Sequence, residues 1–140
     1  MSAQARRGSV RRQVRIGCPP EQVWAAIGDP ARIAEWFPGI ESATVDGSVR
    51  VITTGSGLPI PEEILTNDAV QRRFQYRITA PMFQEHLSTL DVLDLEDGTS
   101  LVVYAADAVP ATLALVIAGA AGNALLHLRT MLEAGEGGRP

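Results

Sequence analysis

The chain has 140 residues, 46% of them apolar, which suits one domain burying roughly two-thirds of its extended surface. A net charge of −4 and an isoelectric point near 5.1 exclude a general nucleic-acid binder, which carries a basic stripe. All 12 basic residues are arginine, so no side-chain amine exists for Schiff-base chemistry, and the single Cys18 leaves no intramolecular disulfide and no sign of secretion.

Residues 1–8 read as a disordered tail, with Arg6, Arg7, Arg11 and Arg12 as its solvated approach to an edge strand. No apolar stretch follows the first arginines, so this is not a signal peptide. Val10, Val14 and Ile16 alternate with Arg11, Gln13 and Arg15, the period of a half-buried strand. Gly17-Cys18-Pro19-Pro20 stops it, and Glu21 opens a short helix whose apolar side is Val23, Trp24 and Ile27. Asp29 is an N-cap and Pro30 a first helical residue for a second small helix, which ends at Trp36-Phe37-Pro38-Gly39. Ser42–Asp46 and Ser48–Thr54 flank the hairpin signal Asp46-Gly47. Strands follow at Glu62–Thr66, at Arg72–Thr79 and, around the turn Glu96-Asp97-Gly98, at Glu85–Leu93 and Thr99–Asp107.

Ala108 to Leu128 then carries no formal charge. With Pro110 at its start and Gly135 at its exit, the segment predicts one long helix. It is long enough to span a membrane. Pro110, Thr112, Asn123, His127 and an alanine- and glycine-rich composition instead predict a packed helix in a soluble, cytoplasmic protein. Residues 135–140 read as a flexible tail, which leaves one domain at 9–134. A long helix after a run of strands predicts an α+β fold with the helix lying across a curved sheet and enclosing an apolar space.

Val23-Trp24, Asp29-Pro30, Trp36-Phe37-Pro38-Gly39, Asp46-Gly47, Tyr76-Arg77-Ile78, Thr89-Leu90, Asp97-Gly98-Thr99-Ser100 and the closing Leu128 and Leu132 follow one another in a familiar order. That ordered set resembles the START/SRPBCC superfamily, most closely its bacterial polyketide cyclase/dehydrase-like branch. The resemblance implies a helix-grip fold: a seven-stranded antiparallel sheet curved around the C-terminal helix, two short helices between strands 1 and 2, and a hydrophobic cavity inside. Ser56-Gly57-Leu58-Pro59 is similar to the gate loop of the plant abscisic-acid receptors of this superfamily, and Glu63-Ile64-Leu65 to the strand after it. That likeness implies a lid at Gly55–Pro61, with Gly57, Leu58 and Pro59 as its gate residues. The receptors' latch is missing around Ala80–Glu85, and their carboxylate-binding lysine falls near Glu35, so the likeness extends to a lid and not to hormone recognition.

Strand parity places Phe74, Tyr76 and Ile78, then His86, Ser88, Leu90 and Val92, then Ser100, Val102, Tyr104 and Ala106 on the inner face. Leu113, Ile117, Ala121, Ala124, Leu128 and Met131 form the matching helical stripe, with Asn123 and His127 beside it. The expected ligand contacts are therefore Phe74, Tyr76, Ile78, His86, Ser88, Leu90, Val102, Tyr104, Ile117, Ala121, Ala124 and Leu128. His86, Tyr104 and Glu63 are the acid–base candidates, Glu63 with a raised pKa if it lies under the lid. Their bland alternatives are a hydrogen-bonded core histidine, a core tyrosine and a solvated strand glutamate. No acid is placed to orient His86 towards Ser88, so a serine nucleophile is not expected, and neither is a metal or a cofactor. Leu115, Val116, Ala118, Gly119, Gly122 and Leu126 fall on the outer face and flanks of the helix, which suggests packing against a second copy. The leading expectation is a carrier or sensor of a lipid- or polyketide-like molecule. The alternatives are a polyketide aromatase/cyclase or dehydratase, and an interaction module working through the helix.

Overall fold

A computed structural model describes residues 6–135. The elements run β1 (Gly8–Ile16), α1 (Pro20–Ile27), a 3-10 turn (Pro30–Arg32), α2 (Ile33–Trp36), β2 (Ile40–Asp46), β3 (Val49–Thr54), β4 (Pro59–Asp68), β5 (Arg73–Ile78), β6 (Glu85–Asp94), β7 (Ser100–Val109) and α3 (Ala111–Glu133). Seven strands form one antiparallel sheet in the order β1-β7-β6-β5-β4-β3-β2, the helix-grip arrangement. Local chemistry acts as expected at several junctions. The Asp29 carboxylate accepts from the Ala31 N–H at 3.1 Å ahead of Pro30, and Gly47 takes φ +61° in the β2–β3 hairpin.

Strand β1 takes in Gly8, assigned above to the tail. A Cβ at Gly8 would lie 2.7 Å from Ala114 Cβ, so only glycine lets the strand pass this close under α3. Arg7 of that tail pairs with Glu85 at 3.0 Å, while residues 1–5 and 136–140 lie outside the described residues.

Helix α3 lies along β1 and β7. Ala114, Ala118, Ala121, Leu125, Leu128 and Leu132 are buried at alternating spacings of four and three, small residues first and leucines last. Ala118 was expected on the flank or outer face and is instead 2% exposed, because the alanine-rich first half of the helix sits close to the strands. Leu115, Val116 and Leu126 do face outward. By length and composition α3 passes as a membrane span, with mean hydropathy 1.7, yet its inner stripe is committed to the sheet.

The inner faces of β5, β6 and β7 place Phe74, Tyr76, Ser88, Leu90, Val92, Val102 and Tyr104 in one core with Ile27, Ile33, Trp36 and Leu128. One ladder is incomplete. Pairing of β5 with β6 runs from Arg73↔Asp91 to Tyr76↔Ser88 and goes no further, although β6 continues to pair with β7 as far as Glu85↔Val109.

Candidate functional site

The gap in the β5–β6 ladder is filled by a side chain. The Ile78 N–H donates to His86 Nδ1 at 2.7 Å, which fixes the imidazole proton on Nε2, facing Ser88 Oγ at 2.8 Å. Both ring nitrogens are thereby used. Burial pushes the His86 pKa down to about 4, so the ring is neutral at physiological pH. Its ring also meets Tyr76 at 5.7 Å and Phe83 at 5.1 Å. His86 also borders a cleft of about 460 Å³ with Arg77, Ile78, Thr79, Phe83, Gln84 and Glu85.

Deeper inside, the hydroxyls of Tyr76 and Tyr104 hydrogen-bond each other. Burial, the first cause, raises Tyr76 to about 12 and pushes Tyr104 up as well. Beside them lies an ion pair that the sequence reading missed. Arg50 and Glu62 face each other across β3 and β4, with Nε donating to Glu62 Oε1 at 2.7 Å and both side chains 2% exposed. Arg50 Nη1 donates to the Pro30 carbonyl at 3.1 Å, and its guanidinium lies over the rings of Phe74 (5.3 Å) and Tyr76 (4.9 Å). Desolvation raises the Glu62 pKa, outweighing the lowering effect of Arg50.

The acidic candidate is therefore displaced by one residue. Glu63 points out of the sheet and pairs with Arg77 at 2.6 Å, while Glu62 shares the inner face with Ile60 and Ile64. Parity with those isoleucines was the signal for Glu62. In β3 the inner face carries Arg50 and Ile52, while Val49 is 46% exposed.

Where a hydrophobic cavity was expected, the residues around Arg50 pack closely. They leave a space of about 10 Å³, enough for one water, lined by Ile27, Ile33, Trp36, Arg50, Phe74, Tyr76, Leu90 and Tyr104. Of the expected contacts, Phe74, Tyr76, Leu90 and Tyr104 line it. Ser88, Val102, Ala121, Ala124 and Leu128 are buried elsewhere in the packed interior, and Ile78 and Ile117 are half-buried. The Arg50 side chain lies over the Phe74 and Tyr76 rings at the edge of this space. The gate is shorter than expected too. Pro59 belongs to β4 and pairs with Thr53, and the turn before it is tied by Thr54 Oγ1, which contacts Ser56 Oγ at 2.9 Å and accepts from the Leu58 N–H at 3.2 Å. Gly57 holds φ +87° at its tip, and Leu58 is exposed.

Residues 7–133 match the family described as polyketide cyclase / dehydrase and lipid transport. The chain belongs to that family. No curated protein matches the sequence. Among solved structures, XoxI from Bacillus cereus aligns with a TM-score of 0.85 at 26% identity, over 92% of this chain and 98% of its own. Norcoclaurine synthase from Thalictrum flavum, solved in complex with dopamine and hydroxybenzaldehyde, aligns at 0.74 and 10% identity over 94% of this chain and 90% of its own. The di-domain ARO/CYC protein BexL of the BE-7585A biosynthetic pathway aligns at 0.77 and 15% identity, over 89% of this chain and 46% of BexL. These likenesses place the chain in the START/SRPBCC superfamily and its helix-grip fold.

Proposed function

We propose that the protein binds a hydrophobic small molecule in the interior bounded by the sheet, α1 and α2, as a carrier or sensor. The observation that carries this is the group of buried polar side chains, Arg50, Glu62, Tyr76, Tyr104, His86 and Ser88, set within an apolar interior. A buried ion pair stabilises a core no better than apolar residues of similar volume, so its presence is better accounted for by recognition. An apolar site with a few placed polar groups is the usual makeup of a small-molecule pocket. The family's lipid-transport description and the complexed norcoclaurine synthase of the same fold agree with it.

The cyclase or dehydratase reading has the family description and the candidates His86 and Tyr104 in its favour. Acid–base work at neutral pH favours a group titrating near 7. His86 sits near 4 with both nitrogens occupied, and burial raises both tyrosines, so binding is preferred over catalysis. Native mass spectrometry of the purified protein, beside a denatured and extracted sample, tests the proposal. A co-purifying apolar molecule is the expected result. An empty protein with no thermal shift across a lipid and polyphenol panel would overturn it.

A further inference from the structure

Among the described residues, two buried side-chain nitrogens have no hydrogen-bond partner: Arg50 Nη2 and Trp36 Nε1. Arg50 is 2% exposed and Trp36 3%, and both line the same 10 Å³ space. Buried donors are rarely left unmatched, because each keeps the cost of its lost hydration. Two such donors on one space point to an acceptor, since guanidinium and indole N–H groups can only donate.

Resting on the binding proposal above, we infer that this end of the site reads a neutral carbonyl oxygen carried by an apolar, ring-bearing molecule. Charge selects the neutral form. Glu62 already balances Arg50 at 2.7 Å, so a carboxylate ligand would put a second anion on one cation in an apolar site. Ring stacking selects the body, because Phe74, Tyr76 and Tyr104 line the space beside Trp36, and Phe37 bridges Trp36 and Tyr104 at centroid distances of 5.8 and 6.4 Å. The space as it stands takes the oxygen. The ring body requires the wall made by the 3-10 turn and α2 to move outward. Three polar contacts hold that wall: Arg50 Nη1 to the Pro30 carbonyl at 3.1 Å, Arg32 Nη1 to the Ala25 carbonyl of α1 at 3.1 Å, and the His127 ring to the Trp36 carbonyl at 3.2 Å.

The test is a titration of the ¹⁵N-labelled protein with benzophenone, with diphenylmethane, which has the same two rings without the oxygen, and with diphenylacetate. The second tryptophan, Trp24, supplies an internal reference for the indole N–H signals. Benzophenone is expected to bind about tenfold tighter than diphenylmethane, the worth of one or two net hydrogen bonds. It should move the Trp36 indole signal downfield, and diphenylacetate should bind more weakly than benzophenone. Trp36→Phe keeps the ring and removes the donor, and it is expected to reduce the preference for the ketone severalfold. Equal binding of ketone and hydrocarbon with an unmoved Trp36 signal would overturn the carbonyl inference and leave the binding proposal standing. Tighter binding of diphenylacetate would overturn the neutral-oxygen choice. A Trp36 indole held by a long-lived water and unresponsive to every probe would overturn the inference as well. Failure of every probe to bind, together with an empty native mass spectrum, would overturn both readings.

Discussion

His86 sets the pH response of the fold at the scale of one residue. Its imidazole titrates near 6.5 when unfolded and near 4 when folded, so between those values the unfolded chain holds more protons. Stability is therefore complete above about pH 6.5 and falls as pH drops towards 4, by up to about 3 kcal/mol. Glu62 works in the opposite sense, since a carboxyl raised by burial favours the folded state at low pH and loses that advantage as pH rises. Urea unfolding across pH 4–7 should show the His86 slope, and His86→Gln should flatten it. An unchanged slope in that variant would assign the response to other groups. Glu62→Gln strands the Arg50 guanidinium and is expected to cost about 3–5 kcal/mol, whereas replacing both Arg50 and Glu62 by leucine should cost less than either single change. If the double variant loses as much as the two singles added together, the pair is not coupled.

The elements were largely legible in the sequence because each carries its own local signal. Alternation at Val10–Ile16, the Asp29-Pro30 cap, the Asp46-Gly47 and Asp97-Gly98 turns and the uncharged run into α3 all depend on neighbours within a few residues. The site was less legible because its members come from distant elements and break the apolar pattern. Arg50 occupies an inner position of β3 while Val49 faces outward, so hydropathy alternation alone does not mark Arg50 as buried. Glu62 was missed beside a more conspicuous Glu63, although Ile60 and Ile64 marked its parity. Gly8 shows the same limit at an element boundary, since its need to be glycine is imposed by Ala111 and Ala114, far along the chain. Gly8→Ala would place a Cβ 2.7 Å from Ala114 Cβ and 2.9 Å from the Ala111 carbonyl, so α3 must shift. The expected loss is about 1–3 kcal/mol, read as a lower melting temperature; an unaffected melting point would mean that the contact is not tight in solution.

For the molecule as a whole, α3 has two opposed duties. Its inner stripe completes the core, while Leu115 and Val116, each 67% exposed, and Leu126 at 51% leave an uncharged outer face. We propose a second copy as the partner for that face. Sedimentation velocity of the wild-type protein is expected to show a dimer that Leu115→Glu converts to monomer; a wild-type monomer at every concentration would end that proposal. The same helix guards the chain's one thiol. Cys18 is 6% exposed beneath the last turn of α3, its Sγ 3.6 Å from the Leu132 carbonyl, while the neighbouring Gly17 N–H donates to Glu133 at 2.7 Å. Burial, with Glu133 nearby, pushes the thiol pKa up, which further slows its reaction. A sulfhydryl dye thus has a single target that becomes available when the end of α3 lifts, and the chain carries its own stopwatch for that departure.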